Sequence, residues 1–168
     1  VYGTCPGCDA FGYRDDDGDP WAGDYDRDGD LVIENQGGSV NLKWSGEDLT
    51  FTSITAFETF ERFYEEDTDV SPAKIVHNTY EAEIDQFTQE FRLGGASGGL
   101  DWLAGAYYYD QKTDGAFQID ASGIDYIIGD ANYDQDTKSW SLFGQLEYAL
   151  SVYWSVLSSL RYTDEERE

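Results

Sequence analysis

The chain has 168 residues and a lopsided charge, with 10 Lys and Arg against 35 Asp and Glu and a formal net charge of -25. Such acidity excludes nucleic acid as a partner, because phosphate binding needs a basic surface. Aromatic residues make up 16% of the chain, whereas disordered acidic chains are poor in them. We therefore expect the acidic and the aromatic residues to occupy different parts of a folded structure.

No stretch approaches the roughly 18 consecutive apolar residues of a transmembrane helix. Strands of a membrane β-barrel, with about 10 residues of alternating character, escape such a hydropathy test. The N-terminus lacks the basic and apolar regions of a signal peptide, and the chain stops at Asp164–Glu168, just after a strong strand pattern. We expect both ends to be cuts within a longer protein.

Residues 1–38 are rich in Gly and Asp and have little periodicity, so we predict an acidic loop. The loop contains a CxxC pair, Cys5 and Cys8. Such a pair can be a redox motif or half a zinc site. Here no βαβ pattern follows it, no second Cys pair exists, and the one histidine, His77, is distant in sequence. The simpler interpretation is a small disulfide that constrains an exposed loop.

A DxDxDGD run in the same loop is close to the start of an EF-hand calcium loop. The bidentate Glu that should stand at the twelfth position is replaced by Asn35, with Glu34 one position early, and helical flanks are missing. A solvated acidic loop without metal is therefore the alternative to Ca²⁺ binding. The candidate calcium ligands are Asp24, Asp26, Asp28 and Asp30.

From Ser39 onward the sequence alternates apolar and polar residues with the two-residue period of a strand that has one apolar face. Between the strand patterns, the acidic segments 65–83 and 111–136 are predicted as loops, the second with a short apolar segment at 126–128. The β-prone runs lie near residues 40–44, 49–64, 87–93, 100–108, 139–150 and 154–163. The pattern predicts an all-β fold, an antiparallel meander of about six strands in three hairpins.

Three features indicate that residues 39–168 are part of a large transmembrane β-barrel. Most of the predicted strands exceed the globular mode of about 5–6 residues, turns are short at one end only, and aromatic residues cluster near strand ends as in an interfacial girdle. The face expected to point to lipid carries Trp140, Leu142, Leu146, Leu150, Trp154, Val156 and Leu160.

Three parts of the sequence resemble strands of TonB-dependent receptors. The first is LTFTSITAF at 49–57. The second is FTQEFRL at 87–93, which is similar to the family's SQELRL strand and is followed by the hairpin arm DWLAGAYY at 101–108. The third is the pair SLFGQ at 141–145 and LRYT at 160–163, which is similar to the family's AVFGQ…GLRYT hairpin. Residues 1–37 match no motif of the family and would correspond to an extracellular loop.

The resemblance implies a barrel of about 22 strands with a plugged lumen in the cell outer membrane. It implies energy-coupled import of a scarce nutrient such as a siderophore, a vitamin or a carbohydrate. The implied partners are outer-membrane lipid, a plug domain, an energy-coupling complex and a small nutrient. We expect the plug and the closing C-terminal strands to lie outside this chain.

Other polar residues are expected to have structural roles. Glu90, Arg92, Glu147 and Arg161 lie on the polar faces of strands, where ion pairing is expected. His77 and the charge run 65–69 are expected at a solvated surface. No nucleophile elbow, phosphate loop or metalloprotease motif occurs, so we expect no enzyme and, apart from the candidate Ca²⁺, no cofactor. The alternative function is a secreted calcium-dependent β-domain for adhesion or glycan binding.

Overall fold

The computed structural model describes residues 5–9, 11–19, 21–124 and 128–168. Within these residues, no helix has the length and apolar character that crossing a membrane would need. A single turn of 3₁₀ helix lies at Ser122–Ile124. The strands are β1 (Asp30–Ser45), β2 (Leu49–Asp67), β3 (His77–Ser97), β4 (Leu100–Asp120), β5 (Ile128–Ser151) and β6 (Trp154–Arg167).

The six strands form one antiparallel sheet in which each strand pairs with its neighbours in sequence, in the order β1-β2-β3-β4-β5-β6. This confirms the predicted meander. The strands are 14 to 24 residues long. At about 3.3 Å per residue, even the shortest exceeds the roughly 25 Å apolar band of a membrane barrel.

The connections differ in length at the two ends of the strands. Residues 46–48, 98–99 and 152–153 form three tight turns, whereas β2 and β3 are joined through residues 68–76 and β4 and β5 through residues 121–127. In the β3–β4 turn, Gly98 and Gly99 have φ values of 59° and 83°. A two-residue hairpin turn of type I′ requires positive φ at both positions, and glycine adopts them without a Cβ clash. The predicted asymmetry of the turns is confirmed.

The strands extend further into the polar segments than the sequence predicts. The first strand begins at Asp30 instead of near Ser39, so residues 30–38 are not loop. As a domain boundary, residue 38 stays a prediction. The segment 65–83 is mostly strand, because only residues 68–76 lie between β2 and β3.

The segment 111–136 shows the same difference, since β4 continues to Asp120 and β5 begins at Ile128. Of the short apolar segment predicted at 126–128, residues 126 and 127 lie outside the described residues. The physical reason is that hydrogen bonding between neighbouring backbones forms these parts of the strands. Backbone pairing leaves no alternating side-chain pattern, so the sequence does not reveal it.

The chain divides into two compact units, which we describe separately. Unit 1 comprises Val1–Ile33, Arg62–Ala82 and Gly115–Tyr133. Tyr64, Tyr80 and Phe117 pack ring to ring across β2, β3 and β4 in this unit, with centroids 5.7 Å and 4.7 Å apart. Unit 2 comprises Glu34–Glu61, Glu83–Asp114 and Asp134–Glu168 and contains the three tight turns.

Burial along β5 in unit 2 is the reverse of what a soluble sheet shows. The small polar residues Thr137, Ser139 and Ser141 are 7%, 9% and 1% exposed, whereas Trp140 and Leu142 between them are 44% and 54% exposed. Among the described residues, the only buried hydrophobic side chains are Ile75 and Ala121, both in unit 1. The sheet therefore has its apolar face outward, as predicted for seven large side chains of β5 and β6. Each of them is an exposed large hydrophobic: Trp140, Leu142, Leu146, Leu150, Trp154, Val156 and Leu160.

The register of β5 and β6 confirms that these residues share one face. Leu142 pairs with Tyr162, and Tyr148 pairs with Val156, while Phe143 pairs with Arg161 on the opposite face. Residues directly opposite each other in an antiparallel pair point to the same side of the sheet. Both strands of the hairpin therefore contribute to one apolar and one polar surface.

Candidate functional site

The acidic segment of unit 1 begins with a disulfide between Cys5 and Cys8, whose Cα atoms lie 5.4 Å apart. The interpretation as a small disulfide is confirmed. Sulfurs joined in a disulfide are not the thiolates that bind zinc. The CxxC pair is therefore not half of a zinc site in this structure.

The first acidic run, at 15–19, uses its carboxylates to hold its own backbone. Asp15 accepts a hydrogen bond from the N–H of Asp17 at 3.0 Å, Asp17 from that of Asp19 at 2.7 Å, and Asp19 from that of Trp21 at 3.0 Å. Each is the local turn that an Asp side chain forms with the backbone two residues on. These carboxylates have a structural role without a cation.

The four residues of the DxDxDGD run do not converge. Asp24 Oδ2 accepts a hydrogen bond from the Tyr13 hydroxyl at 2.9 Å. Lost hydration and this bond raise the pKa of Tyr13 to about 12. Asp28 is exposed and Asp30 is the exposed first residue of β1. Only Asp26 of the four belongs to a set of metal-ligand side chains that the described residues bring together. Calcium binding by the run stays a prediction.

The set that does converge comprises Asp26, Asp67 and His77, all in unit 1. Their ligand atoms all lie within 4.8 Å of one another. Asp26 Oδ1 lies 2.8 Å from Nε2 of His77, and Asp67 Oδ2 accepts a hydrogen bond from the backbone N–H of Asp26 at 3.3 Å. Two carboxylates and one imidazole therefore meet at the ends of β2 and β3.

The sequence predicts a solvated surface position for His77 and for Asp67, and both predictions are wrong. His77 is 3% exposed and Asp67 is 9% exposed. The error arises because Asp26 and His77 are 51 residues apart, and a meander brings them together only once β2 and β3 are paired. The signal that could have found the site is their position, since the acidic run precedes β1 and His77 begins β3 on the same long-loop side.

The loop between β2 and β3 holds Asp67 in place. Its Oδ1 atom accepts hydrogen bonds from the N–H groups of Asp69 and Val70, both at 3.2 Å. Asp69 in turn accepts from the N–H of Val76 at 2.8 Å and from the hydroxyl of the fully buried Ser71 at 2.5 Å. The loop is therefore built around two carboxylates.

Two features show that the cluster has an energetic cost. Burial of Asp67 and the nearby charge of Asp69 raise the pKa of the Asp67 carboxyl, against hydrogen bonds from the N–H groups of Asp26 and Val70 that lower it. The Nδ1 atom of His77 is buried and has no hydrogen-bond partner among the described residues. A buried polar atom without a partner costs about 1–3 kcal/mol.

The polar face of β4, β5 and β6 in unit 2 contains an open cavity of about 470 Å³. At its edge, the Arg161 guanidinium lies 5.7 Å from the ring centroid of Tyr107 and 5.8 Å from that of Phe143, which is cation–π distance. The cavity is lined by Tyr107, Tyr109, Gln111, Gln135, Thr137, Ser139, Arg161, Thr163, Glu165 and Arg167. Aromatic, amide and guanidinium groups of this kind hydrogen-bond and stack on a polar ligand.

The charged residues predicted to pair on the polar faces have different partners. Glu90 and Arg92 form a two-point ion pair at 2.7 Å and 3.0 Å. Glu147 accepts a hydrogen bond from the hydroxyl of Ser155 at 2.8 Å, and Arg161 lies against aromatic rings. Sequence reasoning missed Gln89, which donates to Ser53 and to the backbone of Ile54 and accepts from Thr55.

Comparison with known proteins agrees with the fold. The structure matches that of the siderophore receptor PiuA from Acinetobacter baumannii, with 13% sequence identity and a TM-score of 0.50 over 82% of this chain. The chain spans 29% of the length of that receptor. No curated protein matches the sequence. A family model described as TonB dependent receptor-like, beta-barrel, matches residues 4–168. The chain therefore belongs to the family of TonB-dependent receptor β-barrels.

Proposed function

We propose that this chain forms part of the wall of an outer-membrane receptor that imports a scarce nutrient by energy-coupled transport. The observation that carries the proposal is the reversed burial of β5, with Ser139 and Ser141 buried and Trp140 and Leu142 exposed. A soluble protein avoids a continuous exposed apolar face. In an outer-membrane barrel, by contrast, strands alternate with apolar side chains toward lipid and polar side chains toward the lumen.

The polar face then lines the lumen, where a plug domain and the transported ligand are the partners. Arg161, Tyr107 and Tyr109 around the 470 Å³ cavity would bind a polar, hydrogen-bonding ligand. Because the similar solved structure is a siderophore receptor, a ferric siderophore is the first substrate to test. Cobalamin and an oligosaccharide follow as the other nutrient classes.

The alternative, a secreted calcium-dependent β-domain for adhesion or glycan binding, finds less support. Such a domain would bury its apolar residues between packed sheets. It would also need a convergent set of oxygen ligands, and three of the four aspartates of the DxDxDGD run lie outside the cluster around Asp26.

The test is uptake by cells that carry the intact receptor in their outer membrane. We expect accumulation of a radiolabelled ferric siderophore that stops when the inner-membrane energy-coupling complex is deleted. A matched strain with an empty vector gives the background. If the receptor fractionates away from the outer membrane, or if siderophore, cobalamin and oligosaccharide all fail to bind, the proposal is wrong.

A further inference from the structure

We propose that Asp26, Asp67 and His77 form a binding site for a first-row transition-metal ion of the Zn²⁺ type. This goes beyond the proposed transport function, since a barrel wall needs no metal. The site would join the acidic segment around Asp26 to the hairpin formed by β2 and β3. All three residues lie in unit 1.

The geometry is close to that of a metal centre. Zn²⁺ is bound by His nitrogen and Asp oxygen at about 2.0–2.2 Å, so two ligand atoms of a tetrahedral site lie about 3.3 Å apart. Nε2 of His77 and Oδ1 of Asp26 are 2.8 Å apart, and no pair of ligand atoms in the set exceeds 4.8 Å. Shifts of about 1.5 Å or less would bring all three ligands to bonding distance, with the fourth position free for water.

The buried imidazole is the second, independent observation. His77 is 3% exposed, and its Nδ1 has no hydrogen-bond partner among the described residues. The other ring nitrogen, Nε2, faces the Asp26 carboxylate and is the atom placed to bind an ion, while Nδ1 points away from it. The burial of the ring supports the site because it holds Nε2 against the two carboxylates.

The ligand types favour a transition metal over calcium. Calcium takes 6–8 oxygen ligands, whereas imidazole is a common ligand of zinc, copper, nickel and iron. Asp26 and Asp67 carry two negative charges when ionised, and a divalent cation between them neutralises both. The neighbouring Asp69 adds to the negative charge at this end of the hairpin.

The surroundings also orient the ligands in the manner of a metal site. Asp67 accepts three backbone hydrogen bonds, from Asp26 at 3.3 Å and from Asp69 and Val70 at 3.2 Å each. Hydrogen bonds to ligating carboxylates fix their direction and contribute to metal affinity. One of these bonds joins two of the ligand residues directly, so the site is organised before an ion enters.

The experiment is a competition titration of the intact receptor, purified in detergent and stripped by a chelator, with Zn²⁺ and a fluorescent zinc indicator. We expect one saturable equivalent of Zn²⁺ and, in X-ray absorption of the loaded receptor, the outer-shell multiple scattering of a coordinated imidazole ring. His77→Ala and Asp67→Asn should weaken binding about 100-fold or more, since changes in the second shell alone cost 10–100-fold. The matched control, Asp28→Asn, removes the same charge outside the cluster and should change binding less than about twofold.

Folding of each variant is checked by its heat-dependent shift in gel mobility, and His77→Gln keeps a hydrogen-bonding side chain with poorer ligation. The X-ray absorption measurement uses the wild-type receptor, so it tests the proposal even if a variant fails to fold. The proposal is overturned by the absence of saturable binding, by a spectrum without imidazole scattering, or by equal weakening in Asp28→Asn. Binding of Ca²⁺ that needs Asp24 and Asp28 but not His77 would also overturn it, in favour of the DxDxDGD run.

Discussion

The aromatic ring of Phe143 on β5 lies directly over Gly105 on β4, so closely that a Cβ atom at position 105 would overlap the ring. The same ring lies 5.8 Å from the guanidinium of Arg161 on β6. An aromatic side chain that covers a glycine on the neighbouring strand is a known way to fix the register of a sheet. Gly105 therefore provides the space that lets Phe143 and Arg161 pack across three strands.

Gly105→Ala should destabilise the folded receptor by about 1–3 kcal/mol, because the added methyl group displaces the Phe143 ring. The measurement is the urea midpoint for unfolding of the intact receptor in detergent or lipid. The matched control is Gly144→Ala, where the nearest atom to an added Cβ is a backbone oxygen at 3.6 Å, an ordinary contact. Equal effects of the two substitutions would show that the packing of the Phe143 ring does not depend on the space at Gly105.

Leu142→Arg should lower the stability of the receptor in lipid by up to about 2–4 kcal/mol, depending on its depth in the bilayer. An arginine on the lipid face loses hydration, and the penalty is largest at the midplane. The control is Gln145→Arg on the polar face, which should be nearly neutral. Stabilities are compared by folding into vesicles at increasing urea. A penalty for Gln145→Arg as large as for Leu142→Arg would contradict the assignment of the two faces.

Val70→Asn should stabilise the β2–β3 loop. Val70 has a φ of 52° and is half exposed. A β-branched residue is strained in this left-handed region, by about 1–2 kcal/mol, whereas Asn tolerates it. The loop keeps its hydrogen bond from the Val70 N–H to Asp67. Hydrogen exchange of amides 68–76 should slow by up to about tenfold, and Val152→Asn, in the β5–β6 turn, serves as a control that should leave these rates unchanged. Faster exchange in Val70→Asn would mean that the Val70 side chain contributes packing.

Lowering the pH should weaken the hydrogen bonds at the end of β4, because the carboxylate of Asp120 becomes protonated. Hydrogen bonds from Ser122 and, less strongly, the ammonium of Lys74 at 3.8 Å lower the pKa of the Asp120 carboxyl below its ordinary value of 3.8. A lowered folded pKa means that the stabilisation is fully present above the unfolded pKa and is lost as pH falls through the folded value. Protection of the Ser122 amide against exchange should therefore drop below about pH 4, whereas in Asp120→Ala, which lacks the side-chain acceptor, it should be low at every pH. A pH-independent protection in the native chain would contradict this assignment.

The strands and turns can be predicted from the sequence where the side-chain alternation and the turn-forming residues agree. In the β5–β6 hairpin, the spacing of the apolar residues predicts that Leu142 and Leu160 share one face. In the structure Leu142 pairs with Tyr162, which lies two residues from Leu160 and so on the same side of β6. Gly98 and Gly99 likewise indicate a tight turn, because glycine permits positive φ at both positions. In a membrane barrel, alternation of this kind reflects the difference between lipid and lumen, so it is lost where strands continue into water on both faces. That is why the strand at residues 30–38 is not evident from the sequence.

The cluster around His77 leaves only a weak signal in the sequence, namely the position of its residues at the long-loop ends of the strands. Its three ligands are neighbours only after long-range strand pairing, and no two of them stand at a recognisable metal-ligand spacing in the sequence. Asp26 belongs to a motif-like run, but its functional neighbours are Asp67 and His77 and not Asp24 or Asp28. A motif with local spacing predicts a site only when the loop that carries it folds on itself.

Residues 1–168 expressed alone in water, without detergent, should aggregate. On β5 and β6 the large side chains of one face are exposed, and Leu160 is 80% exposed. Within the described residues, β1 and β6 are also the two edges of the sheet, each with one side unpaired. Unpaired edges with apolar side chains recruit further strands, and charged side chains block them.

Light scattering during refolding from urea measures this aggregation. The double substitution Leu142→Lys and Leu160→Lys should lower the scattering, because it places charge on the apolar face, while Gln145→Lys with Ser159→Lys on the polar face should change it less. Adding detergent should keep the unsubstituted chain in solution by covering the same face. A monodisperse monomer in plain buffer, with cooperative unfolding, would contradict both the exposed apolar face as a lipid contact and the receptor function proposed from it.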